Sequence, residues 1–83
     1  MKNNLFTIKD GVLKSCNDKT VESVVIPDTV TSISHGAFYG CDSLKKIIIS
    51  NRDTVISYDS LYGCKSLESI TLPDGDIIEI SHF

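Results

Sequence analysis

The segment "AFYGCDSLKKIIIS" at 37–50 returns at 60–73 as "SLYGCKSLESITLP". Sliding the chain on itself by 23 residues lays Ile26 on Ile49 and Leu72, Ile33 on Ile56, Phe38 on Leu61, Gly40 on Gly63, Cys41 on Cys64 and Leu44 on Leu67. No gap is needed over two units. An apolar pattern fixed by such a period means that each unit is one turn of a stacked array, able to bury its apolar face only against its neighbours. With 83 residues, 41% of them hydrophobic, the chain has room for one such array and one thin core.

Within each unit the pattern is strand-like. "VESVVI" (21–26), "LKKIII" (44–49) and "LESITL" (67–72) carry apolar residues at their first, fourth and sixth positions. The fourth and sixth share a face by the period of two, and β-branched residues favour an extended backbone there. Stacking makes these strands parallel. Pro27, Ser50 and Pro73 end them, since proline cannot donate to a ladder, and a second short extended piece is expected to end at Ile33, Ile56 and Ile80. "HGAFYGC" and "YDSLYGC" are too short and too glycine-punctuated for a long helix. They predict one helical or 3₁₀ turn that drops Phe38 or Leu61 inward, with Gly40 and Gly63 releasing the chain into the next strand.

"LFTIKDGVLKSC" alternates on both sides of Asp10-Gly11, a hairpin signal that pairs Lys9 with Val12 and Ile8 with Leu13. Phe6, Ile8 and Leu13 then share a face that caps the first unit. The far end shows no equivalent cap. The third unit stops at Phe83, and the expectation is an open strand edge with an uncovered apolar layer around Ile70, Leu72, Ile77 and Ile80, available for homodimer formation. A longer array, or a few last residues folding back over the edge, would cover the same surface.

The unit "IPDTVTSISHGAFYGCDSLKKIII" resembles the BspA-type leucine-rich repeat, whose pattern runs I-P-x-x-V-x-x-I-x-x-x-A-F-x-G-C-x-x-L-x-x-I-x-I. The second unit departs from it at Ser50, at Asp53 in the Val position and at Ser60-Leu61 for Ala-Phe, and the third has one extra residue before Ile80. The resemblance implies an α/β, β-rich fold: a right-handed leucine-rich-repeat solenoid of about three 23-residue coils (21–43, 44–66 and a truncated 67–83) with a parallel sheet on the concave face. Residues 1–20 form the hairpin cap of this single domain. The resemblance also implies bacterial cell-surface proteins that bind host or matrix proteins.

Charge and chemistry narrow the function. The net charge is -3, with Lys and Arg scattered, so there is no basic stripe for nucleic acid. No apolar run approaches the roughly 20 residues that span a bilayer, and the N-terminus lacks the apolar stretch of a secretion signal. As given, the sequence reads as cytoplasmic, and as surface or secreted if it is a fragment or a mature form. Cys16, Cys41 and Cys64 are too few and wrongly spaced for a disulfide framework or paired zinc knuckles; they read as thiols, with Cys41 and Cys64 stacked in a buried ladder. His35 and His82 sit at matching turn positions with Tyr58 between them, without ligand spacing nearby. Asp74, Asp76 and Glu79 lack the spacing of a calcium loop. Neither a catalytic constellation nor a cofactor motif is present.

The remaining candidate is the sheet face, where each unit presents aligned side chains. Three rows result: Glu22, Lys45, Glu68; Ser23, Lys46, Ser69; and Val25, Ile48, Thr71. The first reads as a charge ladder, and the other two as the contact surface for a protein partner. Tyr39 and Tyr62 stack at the rim. The expected function is therefore non-enzymatic protein binding, adhesin-like by the resemblance, with a structural or self-assembling unit as the alternative.

Overall fold

In the computed structural model of the chain, which describes residues 5–56 and 58–79, the first reversal falls at Asp10-Gly11. The two residues hold φ of 54° and 80°, the left-handed pair that a two-residue hairpin turn requires. β1 (Phe6–Lys9) and β2 (Val12–Cys16) leave it antiparallel, pairing Lys9 with Val12 and Ile8 with Leu13 as expected. A bulge between Thr7 and Ile8 then shifts the register so that Phe6 faces Cys16. This bulge has a packing reason. Leu13 and Cys16 are three residues apart and would lie on opposite faces of a regular strand, yet both are buried, and the extra residue brings them to one side. Phe6 packs against the core, while Ile8, expected on the covering face, is 37% exposed.

The hairpin is more than a separate two-stranded cap. β4 (Ser32–Ile33) runs parallel against β2, making a three-stranded sheet ordered β1-β2-β4. A parallel bridge from Ser32 carries it on to Val55. The N–H of Ser34 donates to the Leu13 carbonyl at 2.9 Å, and that of Ile33 to the Val55 carbonyl at 3.1 Å.

The second sheet carries the repeat directly. β3 (Ser23–Ile26), β5 (Lys46–Ile49) and β6 (Ser69–Thr71) are parallel, with Ser23 beside Lys46 and Lys46 beside Ser69, an offset of 23 residues at each step. Alternation sends Val24, Ile26, Ile47, Ile49 and Ile70 inward, where they are buried with Leu44 and Leu67. The fourth strand departs from the sequence expectation. β7 (Ile77–Glu79) runs antiparallel to β6, pairing Thr71 with Ile77 and Ser69 with Glu79. The turn between them is closed by Gly75 at φ 94°, with the Leu72 N–H donating to the Asp76 carbonyl at 2.8 Å. The free edge expected on β6 is therefore covered, and Ile70 is buried beneath it. Ile77 does not lead into a third parallel piece, and Ile80 lies outside the described residues.

Among the described residues there is no α-helix, so the α component of the expected α/β class is absent. Residues 35–40 pass through successive turns, with Ala37, Tyr39 and Cys41 N–H groups donating to the carbonyls three residues back at 3.0 to 3.1 Å. The matching part of the next unit is one 3₁₀ turn, Tyr58–Leu61. Both deliver their apolar residue as expected: Phe38 and Leu61 are buried. Where the first unit has buried Ala37, the second has buried Ser60, whose hydroxyl donates to the Ile33 carbonyl at 2.7 Å. That bond satisfies a polar group which would otherwise cost about 1–3 kcal/mol to bury.

Candidate functional site

Strand register fixes the outward face of the four-stranded sheet. Ser23, Lys46, Ser69 and Glu79 form one row across it, and Val25, Ile48, Thr71 and Ile77 form the next. With strands about 4.8 Å apart, each row spans about 14 Å. The apolar row is most open at its ends, where Val25 is 56% and Ile77 61% exposed, while Ile48 and Thr71 are half-buried between them. The Thr71 hydroxyl is buried and has no hydrogen-bond partner among the described residues. The row therefore presents methyl groups throughout, even at its one polar residue.

Six of these positions were legible as aligned rows; Ile77 and Glu79 join them because β7 folds back. The sequence assigned Ile77 to an edge and weighed Glu79 only beside Asp74 and Asp76 as a calcium-loop residue, although Pro73-Asp74-Gly75 is itself a turn signal. The remaining edge residues divide: Ile70 is in the core, Leu72 packs against it half-buried, and Ile80 lies outside the described residues, while Ile78, which the sequence did not single out, is 47% exposed on the core side of β7. Glu22, Lys45 and Glu68 do form a row joined by main-chain bonds, with the Lys45 N–H 2.7 Å from the Glu22 carbonyl and the Glu68 N–H 2.8 Å from the Lys45 carbonyl. Their side chains are exposed, and among the described residues the one close contact between a basic and an acidic side chain lies elsewhere, His35 Nδ1 to Asp59 Oδ2 at 3.3 Å.

At the rim, the Tyr39 and Tyr62 rings stack at 5.7 Å between centroids and 10° between planes, both well exposed. The acidic turn is held locally, with the Asp76 N–H donating to the Asp74 carboxylate at 3.1 Å. No group of three or more His, Cys, Asp or Glu side chains is placed to hold a metal ion among the described residues. No helix there is long and apolar enough to cross a membrane.

The cysteines lie under the turns as free thiols. Cys16 joins Cys41 and Cys64, which the 25-residue spacing from Cys16 to Cys41 had concealed; its strand is placed by the hairpin, with its N–H on the Ala37 carbonyl at 2.9 Å. Cys41 is fully buried, and Cys64 places its sulfur 3.4 Å from the Phe38 carbonyl. Burial and then the neighbouring Cys16 push the Cys41 thiol from 9.0 up to about 12, and the same two causes push Cys64 up to about 11. An unfolded chain ionises these thiols first, so their contribution to stability is complete below about pH 9 and is lost as pH rises through 11 and 12. The urea midpoint should fall between pH 8 and pH 11 by clearly more in the wild type than in the Cys41→Ala/Cys64→Ala double variant; equal slopes would show that the thiols carry none of it.

Residues 6–83 match the family model described as "BspA type Leucine rich repeat region (6 copies)". No curated protein and no solved structure matches the chain.

Proposed function

The chain belongs to the BspA-type leucine-rich-repeat family, and from that membership we propose that it is a non-enzymatic protein-binding module working through the outward face of β3, β5, β6 and β7. Leucine-rich repeats generally mediate protein–protein interaction. The observation that carries the choice of surface is the register of Val25, Ile48, Thr71 and Ile77, an apolar row flanked on one side by Ser23, Lys46, Ser69 and Glu79. Such a surface combines an apolar centre with a polar border, as contact patches do.

In this proposal the units 21–43 and 44–66 stack as right-handed coils of a solenoid with the sheet on its concave side and the β6–β7 hairpin closing its end, a stacking supported by the constant 23-residue offset between parallel strands. The partner class is the one the family suggests, a host or matrix protein met at the cell surface, and the role is adhesin-like. The test is a binding isotherm for the purified chain against a panel of matrix proteins. Ile48→Glu places a charge in the middle of the row and should weaken binding by about 30-fold or more, the factor that a central apolar contact of about 2 kcal/mol represents. Val55→Glu, an exposed position on the other sheet, should leave it unchanged. Undiminished binding by a folded Ile48→Glu variant would rule the face out, and retention of no matrix protein would rule out the adhesive role.

A further inference from the structure

The four-stranded sheet has two free edges, and they match each other. β3 pairs with β5 alone and β7 with β6 alone among the described residues. The Glu22 carbonyl accepts bonds from Lys45 and Lys46 and so faces β5. Alternation then turns the N–H and C=O groups of Ser23 and Val25 outward from the sheet edge. At the other end the Asp76 carbonyl faces β6, so the same rule turns the main-chain groups of Ile77 and Glu79 outward.

We propose that copies of this chain associate head to tail, β7 of one molecule against β3 of the next. Laid antiparallel, Ile77 meets Val25 and Glu79 meets Ser23 as two hydrogen-bonded pairs, since each supplies outward groups two residues apart. The same register continues both rows of the outward face from one molecule into the next. It also brings together the two ends of the apolar row, Val25 and Ile77, which are the more exposed of its members.

Charge selects this arrangement over a symmetric one. Residues 1–28, the hairpin and β3 with its flanks, hold four lysines against Asp10, Asp18, Glu22 and Asp28, whereas residues 67–83 hold Glu68, Asp74, Asp76 and Glu79 and no lysine or arginine. Pairing β7 with a second β7 would set acidic ends against each other; pairing it with β3, whose own four residues are uncharged, sets the acidic end beside a balanced one. Because the two surfaces differ, the contact is heterologous and extends into open chains rather than closing as a dimer. This inference is independent of the sheet-face binding proposed above, because it uses the strand edges.

Two variants separate the possibilities. Val25→Pro and Ile77→Pro each remove one outward N–H from an edge, where proline is tolerated. In sedimentation velocity, the wild type should show weight-average mass rising with concentration beyond that of a dimer. Each proline variant alone should sediment as a single chain, and an equimolar mixture should form a heterodimer and nothing larger. A wild type that stays monomeric overturns the proposal, as does a plateau at the dimer that Val25→Pro leaves intact. If circular dichroism shows either proline variant unfolded, Val25→Glu and Ile77→Glu replace them with the same expected outcomes, each setting a carboxylate against the apolar residue opposite it while lying exposed in the single chain.

Discussion

Phe38→Ala should cost about 3–5 kcal/mol of folding stability, the range for removing a fully buried aromatic ring. The ring is completely buried and meets Phe6 edge-on, with centroids 6.3 Å apart and planes at 85°. It thus joins three parts of the chain: the turn at 35–40 that carries it, the hairpin that covers it and the strands beneath. At about 0.05–0.15 kcal/mol per residue, a chain of 83 residues holds about 4–12 kcal/mol, so this one loss takes a large share of it. Urea unfolding followed by circular dichroism should show the Phe38→Ala midpoint far below that of the wild type. Phe38→Leu, which copies the residue the second unit uses at Leu61, should remain folded with a smaller loss. A loss below about 1 kcal/mol for the alanine variant would mean that the ring lies over a site able to collapse.

Gly63→Ala should be more damaging than Gly40→Ala, although the two glycines occupy the same place in successive units. Their backbones are alike, φ 88° and 85°, so an added methyl incurs the same left-handed penalty of about 1–2 kcal/mol at each. The surroundings differ. A Cβ on Gly40 would meet nothing within 4 Å, whereas one on Gly63 would lie 2.8 Å from Cδ1 and 3.2 Å from Cε1 of Tyr39. The ring must swing away, which ends its stacking on Tyr62 and adds about 0.5–1.5 kcal/mol. Thermal unfolding of the two variants measures the difference. In a Tyr39→Ala background the difference should shrink to a few tenths of that; if it persists unchanged, the neighbouring Gly40 main chain, at 3.3 Å, is the obstacle instead.

The parts of the fold legible in the sequence are those set by local chemistry or by the period. Asp10-Gly11 specified both the turn and its two nearest pairs, and the 23-residue spacing specified which strands are neighbours and in what register. Tyr39 over Tyr62 and the inward Phe38 and Leu61 followed from the same spacing. What escaped is what depends on a choice between two satisfactory partners. "LKSC" could end a hairpin or also begin a ladder, and only the position of β4 decides that β2 does both. "DIIEI" fits a third parallel piece by periodicity and an antiparallel return by its Pro-Asp-Gly turn. The turn prevails, and with it Ile77 moves from the edge expected at β6 into the candidate face, where Glu79 joins it. The bulge at Thr7/Ile8 was hidden for a further reason: it is the core's demand for both Leu13 and Cys16 that calls for it.

The reversal at β7 also divides the chain by the distance over which contacts must be made. The parallel pairs β3–β5 and β5–β6 each join residues 23 apart, and closing a flexible segment of that length costs about 2.8 kcal/mol beyond a constant term by the logarithmic rule for loops. The antiparallel pairs β1–β2 and β6–β7 close over turns of a few residues, and hairpins of that kind form in about 1–10 microseconds. The entropic barrier to building this fold therefore lies in the middle of the chain, between two short-range hairpins at its opposite ends.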